Sequence, residues 1–104
     1  GWTGDNGDPD NWLGTLYSCD AIGGNNYSMW CDAEYDKLVK QAKLVTDREQ
    51  RTVLYKQAQQ LLKQQVPITP IAHSTVNQPL STKVQGFLVS PFGRNVFSGV
   101  SVTP

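Results

Sequence analysis

The chain opens Gly1-Trp2-Thr3-Gly4-Asp5, which sets a carboxylate three residues past an indole. The stretch is too polar and too rich in glycine to be core. Asp5 falls where an extended run gives way to a turn, because Asn6-Gly7 is a turn dipeptide and Asp8-Pro9 opens a helix. A carboxylate at a strand end beside an aromatic suits the capture of a cation such as an α-ammonium group. Aspartate also caps turns through its own side chain, and both roles stand open for Asp5 at this point. Asp5, Asp8 and Asp10 together invite a calcium reading. The EF-hand loop, however, wants acids at alternate positions and a glycine at the sixth, whereas Pro9 interrupts here and the glycine is misplaced. Asp8 is better explained as a helix N-cap, and Asp10 as a first-turn acid favoured by the helix dipole.

Cys19 and Cys31 flank a loop that contains Gly23-Gly24-Asn25-Asn26, flexible enough to bring the two sulfurs together. A disulfide there would restrict the unfolded chain and stabilise the fold by about 3 kcal/mol. Free thiols are the alternative. Zinc would need close cysteine pairs or a second histidine, and the lone His73 is far along the chain. No metal and no cofactor are expected. A disulfide implies an oxidising compartment such as the periplasm or the cell exterior. Catalysis fits poorly, since there is no G-x-S-x-G elbow and one histidine must serve any acid–base scheme. Pairing His73 with either cysteine would sacrifice the bridge and set the nucleophile on a flexible loop. The chain is not expected to be an enzyme, and His73 reads as a structural histidine near a strand end.

The 104 residues carry nine basic and nine acidic groups, enough chain for one small domain and no apolar run long enough to cross a membrane. The zero net charge hides a division. Residues 1–36 hold seven acids and no lysine or arginine, and the remainder holds nine bases with only Asp47 and Glu49. All three tryptophans fall in the first 30 residues. The basic half spreads its lysines along helices without an aromatic platform, which argues against a nucleic-acid partner.

These residues need elements to position them. Residues 10–17 read as a short helix with Trp12, Leu13 and Leu16 on one face. Residues 18–30 form a polar loop. Asp32 is placed as the N-cap of a helix whose apolar positions are Tyr35, Leu38, Val39, Ala42 and Val45. Thr46 and Glu49 match a capping box opening a further helix to about residue 65, with Leu54, Ala58, Leu61 and Leu62 as its buried stripe. The two long helices should form an antiparallel hairpin, and each buries one face, so the pair calls for a sheet to lie on. Residues 66–73 read as a strand with prolines at its irregular points, and residues 83–89 as another, with Val84, Phe87 and Val89 as the apolar positions. From Ser90 onward the chain is rich in Gly, Pro and Ser, a tail of the kind that ties onto another part of a protein. Gly1-Trp2 reads as the inside of a strand, from which one expects a chain cut from something longer.

Several of these runs resemble a known family. Residues 1–11 look like the extracytoplasmic solute-binding proteins of peptide ABC importers. So do Asn26-Tyr27-Ser28-Met29-Trp30-Cys31 and Leu54-Tyr55-Lys56-Gln57-Ala58-Gln59, and Ile71-Ala72-His73-Ser74-Thr75-Val76 and Val84-Gln85-Gly86-Phe87 continue the likeness in the same order. The resemblance covers essentially the whole chain and is to the C-terminal portion of much longer proteins, among which the periplasmic dipeptide binders are nearest. It implies an α/β fold, a C-terminal fragment of a two-lobe periplasmic-binding-protein architecture with a helical hairpin packed on strands. Residues 1–74 would belong to the C-terminal ligand-binding lobe, and residues 75–104 would cross the hinge and pack on the N-terminal lobe.

The resemblance also implies roles. The family clasps an extended peptide between its lobes, and the acid of its Trp-x-x-Asp motif, Asp5 here, binds the ligand's N-terminal ammonium. The neighbouring strand, at Gly1 and Thr3, pairs with the ligand's main chain, and Trp2 lines or supports the pocket wall. Main-chain recognition of this kind is strand addition, which binds without reading side chains. The implied partners are a dipeptide or short peptide, the remainder of the receptor and an inner-membrane ABC permease, all in or facing the periplasm. The arginine that holds the ligand carboxylate in dipeptide binders lies upstream of this region. Arg48 and Arg51, placed on the exposed side of a helix, and Arg94 in the tail do not match it. Two alternatives remain. One is a secreted, disulfide-stabilised calcium-binding or structural interaction domain. The other lies within the family, whose members also take longer peptides, haem, nickel chelates or antimicrobial peptides.

Overall fold

The computed structural model describes all 104 residues. Three helices follow the entry segment: α1 (Asp10–Tyr17), α2 (Ala33–Leu44) and α3 (Arg48–Gln65), with a 3-10 turn at Cys19–Ala21. Two short strands, β1 (Val84–Gln85) and β2 (Ser101–Val102), complete the chain.

Each helix starts where a short polar side chain can satisfy a free backbone N–H. Asp8 caps α1 by accepting from the Asp10 N–H at 2.9 Å, with Pro9 already helical in the first position. Asp32 caps α2, accepting from the Tyr35 N–H at 2.8 Å, as its sequence pattern suggested. The start of α3 differs from expectation. Asp47, not Thr46, is the cap, and it accepts from the Gln50 N–H at 2.9 Å. The three-residue spacing to a Glu or Gln is met by both Thr46–Glu49 and Asp47–Gln50, and the stronger acceptor takes the site.

The helical hairpin of α2 and α3 forms, and α1 packs across it. Its core is Leu13, Tyr35, Val39, Ala42, Tyr55 and Ala58. Tyr35 is fully buried, donates its hydroxyl to the Leu13 carbonyl at 2.7 Å and meets the Trp30 ring edge-on at 5.0 Å. Burial pushes its hydroxyl well above the ordinary tyrosine range. Cys19 and Cys31 are joined in a disulfide. The loop it closes is organised by buried Asn26, which donates to the Ser18 and Trp30 carbonyls at 3.0 and 2.9 Å.

The charge division along the sequence closes on itself. Lys40 pairs with Asp20 and Asp36, Lys43 with Asp10, and Arg51 with Asp8. Apart from Lys40–Asp36, which lies within α2, each pair joins the acidic stretch before α2 to a basic helix. Arg51 corrects its expected exposed position: it is half-buried, donating through Nε to the Ala42 carbonyl at 3.0 Å and through Nη2 to Asp8 at 2.8 Å. Its guanidinium also lies 5.2 Å above the Tyr55 ring. This contact draws Tyr55, absent from the expected stripe, into the core.

Beyond Val66 the chain leaves the helices. The strand expected at residues 66–73 is not formed; residues 66–81 carry no regular element, and the backbone of residues 67–80 makes no hydrogen bond within the chain. A strand is a paired object, and no second extended segment lies beside this one. Residues 83–89 do pair, though briefly: Val84 faces Val102, Gln85 faces Ser101, and Leu88 bridges Val96, so the tail folds back on its own segment. Phe87 and Phe97 pack at 5.7 Å inside that hairpin. Gly86 is required there, with φ +74° and the Gly99 carbonyl where a Cβ would stand. The radius of gyration is 18.1 Å, against about 13 Å for a compact chain of this length. The accessible surface is 8012 Å², against about 5,800 Å² for a compact monomer of this mass. The excess lies in the extended portion, where Ile71, Val76, Leu88, Val96 and Phe97 are exposed.

Candidate functional site

The expected site residues gather at the entry segment, and α1 holds them. Gly1–Thr3 was expected to be strand; the segment carries no regular element, and no backbone group of residues 1–4 is hydrogen-bonded within the chain. Gly1 and Thr3 are exposed and Trp2 is half-buried. Gly4 is buried with its backbone pressed on the Trp12 ring, where a Cβ would overlap the indole. This contact lets the segment lie flat on α1.

One side chain organises the rest, and the sequence pattern did not single it out. Asn11 accepts at Oδ1 from the Trp2 indole Nε1–H at 3.0 Å and from the Asp5 backbone N–H at 2.9 Å. Its Nδ2 donates to Asp5 Oδ2 at 3.2 Å. Side chains on a helix lean toward its N-terminus, so a residue in the first turn of α1 reaches back over residues 2–5. The signal that could have found it is an amide placed just inside an Asp-Pro cap, six residues after the acid. Asp5 Oδ1 has no protein donor. The carboxylate is therefore exposed, oriented, and half-engaged.

The start of α1 is itself anchored. Asp8 is bound by Arg51 of α3, and the guanidinium holds its carboxyl below the ordinary value of 3.8. Asp10 pairs with Lys43 of α2 at 3.1 Å, with its other oxygen buried over Gly14 and unpartnered. Asp8 and Asp10 thus serve the helix start rather than one cation. No group of three or more metal-binding side chains occurs in the chain.

Two grooves of the chain lie away from Asp5. One runs between Pro9 and α3, where Arg51 is already satisfied by Asp8 and Tyr55. Another is apolar and follows Leu13, Tyr17, Leu62, Val66 and Ile68. Neither includes Asp5, which stands on an open face. An ammonium at an exposed carboxylate in water gains at most about 1 kcal/mol. A site built on Asp5 needs a second surface to exclude solvent.

No protein-family model matches the sequence. The chain is 70% identical over its whole length to a dipeptide-binding protein of Pseudomonas aeruginosa PAO1, covering 20% of that protein. The chain is thus similar over its whole length to one part of a dipeptide-binding protein. Among solved structures, its fold matches a dipeptide-binding protein of Pseudoalteromonas sp. SM9913 in complex with Met-Leu, with a TM-score of 0.87, 35% identity, 98% of this chain and 20% of the other covered. It is also 47% identical over 102 residues to heme-binding protein A of Haemophilus influenzae Rd, covering 98% of this chain and 19% of that one. The chain thus spans about one fifth of the length of the relatives it matches. The helical and short-stranded portion seen here is one part of the periplasmic peptide-binding fold.

Proposed function

We propose that this sequence serves in a periplasmic solute-binding protein that captures dipeptides or short peptides and delivers them to an inner-membrane ABC importer, with no catalysis of its own. The observation that carries this is the half-engaged Asp5 carboxylate beside Trp2, held by Asn11 in a family of peptide binders. Asp5 binds the peptide's N-terminal ammonium. The unpaired backbone of Gly1 and Thr3 meets the ligand's main chain, and Trp2 forms the wall. Residues 1–74 contribute to the C-terminal lobe, and residues 75–104 cross the hinge and pack on the other lobe. That lobe supplies the carboxylate-binding arginine and closes the open face over Asp5. The exposed apolar residues of the extended portion support this division, since they call for a covering surface.

Removing one partner of an ion pair enclosed in a closed cleft costs about 2–5 kcal/mol. In the natural full-length protein carrying this sequence, Asp5→Asn weakens dipeptide binding by at least ~30-fold in a calorimetric titration. Unchanged affinity would reject the role of Asp5. The 104 residues alone are expected not to bind dipeptide. The similarity to a heme-binding protein makes haem the second ligand to titrate. Haem binding without competition from dipeptides would move the function there.

A further inference from the structure

We infer that Asn11 is a positioning residue for ligand capture: its side-chain amide aims the Asp5 carboxylate so that Oδ1 alone faces the ligand ammonium. The inference rests on Asp5 as the ammonium partner and goes beyond it by fixing which oxygen binds and what holds it.

The orientation of the Asn11 amide follows from its neighbours. Two N–H groups, the Trp2 indole and the Asp5 backbone, converge on one atom, and a carboxylate oxygen lies beside the other. Reversing the amide would oppose donors to donors and an oxygen to an oxygen, so the carbonyl must take the first place and the NH2 the second. The NH2 then occupies Oδ2 and leaves Oδ1 with its lone pairs free. A neutral donor suits this task. It holds the carboxylate still without neutralising the charge that attracts the ammonium, as a lysine or arginine would.

Asn11 is itself rigid. It sits in the first turn of α1, three residues after the Asp8 cap, and Asp8 is pinned to α3 by Arg51. The Gly4 backbone lies flat on Trp12, one residue along the same helix. The carboxylate is thus referenced to the helical core through two short links, although it projects from an irregular segment. Fixing it before the ligand arrives removes an ordering cost from binding.

The test uses the natural full-length protein with Asp5→Asn, Asn11→Ala and the double substitution, titrated with Met-Leu and with its desamino counterpart, which lacks the α-ammonium. Thermal melting is followed alongside. Asn11→Ala is expected to weaken Met-Leu on the order of 10-fold and the desamino ligand far less, through the lost Trp2 contact alone. In the Asp5→Asn background its further effect should shrink to that seen with the desamino ligand, because it acts chiefly through Asp5. Equal losses for both ligands, or effects that multiply in the double variant, would make Asn11 merely structural and overturn the inference. An effect of Asp5→Asn with none from Asn11→Ala would overturn it alone, whereas no effect from Asp5→Asn would overturn the ammonium reading and this one with it. If Asn11→Ala fails to fold, Asn11→Ser keeps a polar first-turn residue and carries the same comparison.

Discussion

The helical unit and the extended segment after it carry similar apolar side chains and treat them in opposite ways. Val39 on α2 is 1% exposed, whereas Ile71 in the segment is 95% exposed. The helices satisfy their backbone groups within four residues, so each can present an apolar stripe to a neighbour at once. An extended segment satisfies nothing by itself. Residues 67–80 leave their amides and side chains open until another strand or surface meets them. The entry segment shares this state, and it carries the candidate site. Open backbone is thus found where strand addition is proposed and where a second lobe is proposed to pack.

The comparison can be tested from its strongest side. Tyr35→Ala removes a fully buried ring, its hydroxyl bond to Leu13 and its contact with Trp30. A loss of about 3–5 kcal/mol in denaturant unfolding is expected, and a loss under 1 kcal/mol would mean that the helices do not share one core. Replacing Cys19 and Cys31 by serine should lower stability by about 3 kcal/mol, read as a fall in melting temperature of the oxidised protein only. If reduction of the wild type changes nothing, the Asn26 network holds that loop without the bridge.

A smaller effect belongs to pH. Asp8 has its carboxyl depressed by Arg51, so its stabilising contribution is full above the ordinary value of 3.8 and is lost as pH falls through the lower folded value. Its side chain is 39% exposed, and solvent screening limits the pair to about 1 kcal/mol. Arg51→Ala should remove that acid-side dependence, so a variant that keeps it would place the titration elsewhere. The smallest change is expected at Ile71. In the 104-residue chain Ile71→Ala should alter stability by less than about 0.5 kcal/mol, and the amides of residues 67–80 should exchange without protection. The same substitution in the natural full-length protein is the sharper arm. A loss of about 2 kcal/mol or more there would show a covered isoleucine, and a null result would show that the remainder of the receptor leaves this part of the segment bare.

Much of the helical unit was legible because its rules are local. The spans of α1 and α2, the Asp32 cap and the buried faces of α2 follow from spacing along the chain. The cap of α3 slipped by one residue, since Thr46 and Asp47 both precede a Glu or Gln at the required distance. Strand character at residues 66–73 was read from composition, which reports what a segment can do and not whether a partner is beside it. In the site, Asp5 and Trp2 were visible as a motif. Asn11 was not, because an asparagine in a helix looks like an ordinary surface residue until its amide is seen bridging both.

By itself the sequence determined the helices, their caps within a residue, the pairing partners available to the two cysteines, and the segregation of acids from bases. Those features depend on neighbours a few bonds away. Tertiary structure alone decided that Arg51 binds Asp8 across 43 positions, that Lys43 reaches Asp10, and that the Asn11 amide meets the Asp5 carboxylate. Each of these matches a donor to an acceptor on another element, and spacing along a chain carries no record of which surfaces will meet.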